Sequence, residues 1–233
     1  MSKPRSAGMQ IRMMLRFIVD CSMAVLLLLL MSFELLGRDA HEWIGLAMFF
    51  LFLIHHGLNW KWSTHIFRGS YTPVRILMTL SAGAVFLTMF GSVFSAVLIS
   101  REVFAFLPID GGNHLGRSLH MLSAYWGFVL MSFHLGLHWD KVIFRMKKIF
   151  KNKVHISEAA LKLISGFIFL YGAVAFVRRE LPDYLFLKSQ YVFFNFEEPI
   201  FFFLLDYLAI MGMFICLGHY SVKCIRVRRT NEG

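Results

Sequence analysis

Apolar residues run along this chain in six long stretches, roughly Phe17 to Leu36, Trp43 to Leu58, Val74 to Ile99, Leu119 to His138, Leu161 to Val177 and Ile200 to Leu217, separated by short polar segments. Each is close to the ~20 residues that a helix needs to cross a hydrocarbon core. The pattern predicts an all-α polytopic membrane protein of six transmembrane helices, with residues 1–233 forming a single transmembrane domain. Thr72 and Pro73 supply an N-terminal cap for the third helix, and Ser157 one for the fifth. The first stretch follows Lys3, Arg5, Arg12 and Arg16 in the manner of a secretory signal. It lacks a small-residue cleavage site and is long enough to span, so it reads as the first helix.

Composition agrees with the pattern. With 58% hydrophobic residues and 26 phenylalanines among 233, the chain carries more apolar surface than a soluble domain buries. The net charge of +10 would suit a nucleic-acid partner if the basic residues were clustered on one exposed surface. They follow the loops instead. Eighteen of the 24 Lys and Arg fall in the N-terminus, the second loop, the fourth loop and the tail, all on one side of the membrane. Arg38, Arg101, Arg117, Arg178, Arg179 and Lys188 fall on the other. By the positive-inside rule both termini are expected in the cytoplasm, the membrane being a bacterial inner membrane, and no nucleic-acid partner is implied. Cys21, Cys216 and Cys224 are too scattered for a disulfide framework, and no Cys-x-x-Cys-His motif offers covalent haem attachment.

The second and fourth stretches repeat one another at an offset of 79 residues. Leu36-Gly37-Arg38, His41, His55, Gly57, Leu58 and Trp60 align with Leu115-Gly116-Arg117, His120, His134, Gly136, Leu137 and Trp139. The pattern is LGRxxH, thirteen residues, HxGLxW. Fourteen residues rise about 21 Å through almost four turns, so both histidines of each helix face nearly the same way at two depths. Helices separated by one span run parallel, which sets His41 level with His120 and His55 level with His134. Such cross-helix imidazole pairs suit the two axial positions of a haem iron, giving low-spin centres for electron transfer. Four intramembrane histidines at a repeated spacing are costly to bury without a use.

On these residues the chain resembles the di-haem membrane cytochromes b, typified by cytochrome b of the quinol:cytochrome c reductases. The segments HHGLNWKW and HLGLHWDK are most similar to a smaller bacterial family of cytochrome-b-like membrane proteins associated with flavinylated electron-transfer systems. The resemblance covers the first four helices, about 130 residues. It implies a haem-binding four-helix core over about residues 11–140, followed by helices five and six over about 157–226. It further implies two haem b, exchange with menaquinone or ubiquinone, and a redox partner subunit in a respiratory complex. The ferric-reductase and NADPH-oxidase class shares this core.

Around the histidines, Arg38 and Arg117 lie one turn toward the outer surface, placed to pair with haem propionates through their bidentate forks. His56 and His138 compete with His55 and His134 for the inner positions. The repeat decides between them, because the equivalent of His138 is Asn59. Gly57, Gly136, Gly83 and Gly91 would admit a flat macrocycle or a close helix. Asp206 inside the sixth stretch reads either as an ion pair with Arg178 or Arg179 or as a proton-release group. His219 reads as interfacial. Asp110, Asn113, His114 and Glu42 gather beside Phe104, Phe106 and Leu107 as a candidate quinone site on the outer side. His56, His138 and His219 mark the rival inner location.

The leading expectation is transmembrane electron transfer through two b-type haems, between the quinone pool and a redox partner. An outer-face reductase of ferric iron or oxygen species, a haem-containing anchor for a dehydrogenase, and a histidine-lined metal transporter are the alternatives. The chain carries no GxGxxG or Walker sequence, so it shows no means of taking hydride directly.

Overall fold

A computed structural model describes residues 4–66, 68–107, 113–150, 157–189, 191–192 and 194–231. Among them the fold is entirely helical: α1 (Pro4–Leu30), α2 (Phe33–Leu58), α3 (Trp60–Thr64), α4 (Pro73–Ile99), α5 (Asn113–Leu137), α6 (Trp139–Phe150), α7 (Glu158–Arg178), α8 (Leu181–Leu185) and α9 (Ile200–Asn231). Four of these are long and apolar enough to cross a membrane: α1 from Gly8, α4, α7, and α9 as far as Arg228. Large side chains such as Leu87, Leu163, Phe167 and Phe201 stand exposed on them, as lipid-facing residues do. The chain is a membrane protein.

The two helices carrying the repeat, α2 and α5, are 26 and 25 residues long. Both carry charged and titratable side chains along their length. Arg38, Asp39, His41, Glu42, His55 and His56 lie on α2, and His114, Arg117, His120 and His134 on α5.

The first two expected helices are divided differently from the hydropathy pattern. Apolar residues continue to Leu36, but α1 stops at Leu30 and α2 begins at Phe33. Ser32, buried in the turn, donates its hydroxyl proton to Leu29 O at 2.6 Å. Hydropathy registers burial and lipid contact, and two residues of turn inside an apolar run leave it unchanged. A second break lies at Gly37, whose φ of 77° and ψ of 170° lie in a region that only glycine enters without strain. The straight part of α2 after this glycine is about 31 Å long, close to the thickness of a hydrocarbon core. Both expected caps are present: Thr72 Oγ1 accepts from Arg75 N at 3.3 Å and Ser157 Oγ from Ala160 N at 3.2 Å.

Helix α5 is the centre of the bundle, packing along α4 on one side and α9 on the other, with α7 on the far side of α9. The α5–α9 crossing is close because Gly136 lies against the backbone of Ile215, and Gly218 against the backbone of Phe133 and Leu137. Phe128, Ile210, Tyr184 and Tyr207 fill the core nearby. Short α8 follows α7 at one end of the bundle, where Trp126 Nε1 donates to Leu185 O at 2.9 Å and Tyr125 stacks on Tyr184. Helix α2 packs along α1 and only sparsely on α4, and it is not packed along α5.

Candidate functional site

The repeat histidines are found where α2 faces α5. At the level expected from the charge pattern to be the outer one, the rings of His41 and His120 are in contact, with centres 6.0 Å apart and planes at 70°. His55 and His134 lie toward the other ends of the same helices, so α2 and α5 run in the same direction. Among the described residues those two inner rings do not touch, although His134 lies within electrostatic reach of both His55 and His56. The inner level is instead a group of four imidazoles, with His55 against His56 at 5.6 Å and His134 against His138 at 4.8 Å.

Hydrogen bonds fix which ring nitrogen carries the proton. Ser95, fully buried on α4, donates its own proton to Gly91 O (2.7 Å) and Ser92 O (2.9 Å). Its oxygen therefore accepts from His120 Nδ1 at 3.0 Å, and Ser92 O accepts from the same nitrogen at 3.3 Å. A carbonyl can only accept, so Nδ1 is the protonated nitrogen and Nε2 keeps its lone pair. The arrangement recurs at the inner level. Ser81 donates to Met78 O and accepts from His134 Nδ1, both at 3.0 Å. His55 Nδ1 donates to Asp20 Oδ1 on α1 at 2.9 Å, and Asp20 Oδ2 accepts from Arg145 of α6 at 2.6 Å. Three of the four repeat histidines thus carry their proton on Nδ1, each oriented by an acceptor behind it, and keep the lone pair on Nε2, which in His55 faces Asn59 Nδ2 at 3.5 Å.

The fourth, His41, has a buried Nδ1 with no hydrogen-bond partner among the described residues, a condition that costs about 1–3 kcal/mol unless a bound group relieves it. Among the described residues no three His, Cys, Asp or Glu side chains group as a metal site. Paired imidazoles without a third ligand suit a metal that brings its own equatorial ligands, as haem iron does. Two rings bound on opposite sides of one metal at about 2 Å per bond have centres roughly 6 Å apart, and the outer pair meets that spacing. The residues at this level fit a bis-histidine haem.

The competing histidines are differently engaged. His138, between α5 and α6, has Nδ1 3.3 Å from Lys141 Nζ. An ammonium can only donate, so His138 carries its proton on Nε2, opposite to His134. Burial, with Arg145 and Arg226 nearby, holds Lys141 below the ordinary lysine range. His56 bonds back to Phe52 O at 3.0 Å and is wedged between Phe52 and Phe86. His219 lies 3.6 Å from Asp140, which also meets Arg226.

The other expected site residues fare unequally. Arg38 and Arg117 stand exposed near the N-terminal ends of their helices, and among the described residues neither pairs with a carboxylate. Glu42 is committed to the loop after α4: it accepts from Ser100 Oγ at 2.6 Å and from the backbone N–H groups of Arg101, Glu102 and Val103 at 3.0–3.1 Å. That use leaves little of its carboxylate for a quinone. His114 is exposed, Asn113 opens α5 with a side chain outside the described atoms, and Asp110 lies outside the described residues. Asp206 is fully buried and paired with both Arg178 and Arg179, while Tyr171 donates to it at 2.7 Å and Arg179 also reaches Glu198. Gly136 and Gly91 meet neighbouring helices, whereas Gly57 and Gly83 have nothing within 4 Å of a notional Cβ.

Ser81, Ser95, Asp20 and Arg145 do not stand out in the hydropathy pattern. Two signals for them exist. The serines are spaced by the same fourteen residues as the histidines they meet, and Asp20 is a carboxylate inside an apolar stretch. Comparison with protein-family models, with curated proteins and with solved structures gives no match for this chain.

Proposed function

We propose that this protein carries electrons across a bacterial inner membrane through two b-type haems. Helices α2 and α5 then cross the bilayer beside the four apolar helices. His41 and His120 hold the outer haem, His55 and His134 the inner. The observation that supports the reading best is the His41–His120 pair: two imidazoles from parallel helices in ring contact, one with its tautomer set by Ser95 and Ser92, the other with a buried unpaired nitrogen. Haem bound at such nitrogens supplies one-electron exchange between ferric and ferrous iron.

The chain's own residues orient the ligands, keep water from them and hold protons. Met48 and Phe52, between His41 and His55 on α2, and Met89, between Ser81 and Ser95 on α4, are all buried in the core. A quinone exchanging electrons here needs groups that take up or release protons. Titratable side chains are concentrated at the inner end, where His134, His138 and Lys141 form a row leading to the basic helix α6. With Glu42 engaged elsewhere, this favours the inner location for the quinone over the outer one. The basic residues of the same end orient it toward the cytoplasm and suit an acidic redox partner subunit.

Purified protein assayed by pyridine haemochrome is expected to contain two b-type haems per chain. His120→Ala and His41→Ala should each leave one. A stoichiometry near zero in the parent protein overturns the reading, and a metal bound without porphyrin would replace it with the transporter alternative.

A further inference from the structure

The four repeat histidines do not receive equal support from behind. His120 and His134 donate to the neutral hydroxyls of Ser95 and Ser81, and His41 Nδ1 has no partner. His55 alone donates to a carboxylate, that of Asp20 at 2.9 Å. Asp20 belongs to α1, which contributes nothing to the repeat. Its second oxygen is pinned by Arg145 at 2.6 Å, and all three side chains are partly buried. One turn away, Arg16 donates to Leu58 O at 2.6 Å and so ties α1 to the end of α2 that carries His55. The Asp20–His55 contact is therefore braced on both sides.

A carboxylate accepting from Nδ1–H fixes the ring's tautomer and orientation and makes the opposite nitrogen more basic. A more basic ligand stabilises the more positive state of a metal. We propose that Asp20 is the positioning residue of His55 and makes the inner of the two haem sites the lower in potential. The proposal rests on the haem reading above. Arg145 opposes the effect, because a guanidinium on the second oxygen draws charge away from the imidazole. The opposition has a structural consequence: Arg145 is carried by α6, the basic amphipathic helix at the cytoplasmic end, so the inner potential is tied to the position of that helix.

The test is an optical redox titration of the purified holoprotein, with the inner component identified as the one surviving in His120→Ala. In the parent protein the inner component is expected to titrate below the outer. Asp20→Asn should favour reduction of the inner haem about tenfold, a rise of about 59 mV for one electron. Arg145→Gln should shift it the opposite way, and Asp20→Glu should restore the parent value. The outer component should stay fixed in all three. An inner component unmoved by both Asp20→Asn and Arg145→Gln, or an outer component moving equally with it, overturns the proposal while leaving the haem reading intact. If Asp20→Asn loses haem, the downward shift in Arg145→Gln decides. Parent protein without haem overturns both.

Discussion

Ser95 Oγ on α4 accepts a hydrogen bond from His120 Nδ1 on α5 at 3.0 Å, and fourteen residues away on each antiparallel helix Ser81 makes the same bond with His134. The two serines are not equally replaceable. His120 keeps a second acceptor in Ser92 O, whereas among the described residues His134 Nδ1 has Ser81 alone. Ser81→Ala is expected to weaken haem retention at the inner level about 10- to 100-fold, the usual consequence of losing such a partner. Ser95→Ala should cost the outer level less. Haem transfer to an apo-acceptor protein measures both, and equal losses would argue against the carbonyl's role.

His138→Ala should leave both haems bound, because its protonated Nε2 and its bond to Lys141 suit it to proton handling. Reduction by a menaquinol analogue is expected to slow in this variant and to proceed at the parent rate in His114→Ala. Slowing in His114→Ala alone would return the quinone to the outer side.

The repeat positions Gly57 and Gly136 should respond oppositely to alanine. A Cβ at 136 meets the backbone of Ile215 and forces α5 and α9 apart, at a cost of about 1–3 kcal/mol. At 57 nothing lies within 4 Å, and alanine should be neutral or stabilising by up to about 1 kcal/mol. Thermal unfolding in detergent distinguishes them.

Asp206→Ala strands Arg179 in a largely buried site with only Glu198 for charge balance. Loss of stability on the order of 3 kcal/mol is expected, since breaking a buried pair leaves an uncompensated charge. Haem content and potentials should be unaffected, the cluster lying between α7, α9 and the segment before α9. A changed haem spectrum would show that this cluster serves the redox site as well.

Much of this architecture can be read from residue types. The four apolar helices are marked by hydropathy, the caps by Thr72-Pro73 and Ser157, and the His41–His120 level by the repeat. The division between α1 and α2 is not visible that way, because Met31 and Ser32 break the helix without breaking the apolar run. Equivalence in the repeat also conceals divergence in use. Gly37 provides a break in α2, while its counterpart Gly116 lies inside α5 against the side chains of Ile99 and Leu98. The supporting residues Ser81, Ser95 and Asp20 come from helices outside the repeat, so their spacing and charge mark them in the sequence but only their three-dimensional neighbours show which histidine each one meets.

The packing of α2 on α1, with only sparse contact to α4, bears on how the protein is made. The hairpin of α1 and α2 precedes α4, α5 and α9 along the chain and so can complete its own packing before they are synthesised to receive it. The seam between hairpin and body can close only once α4 and α5 are in place. It is also where His41 meets His120, so a large flat group can enter from the side during assembly, without any later opening of the finished bundle.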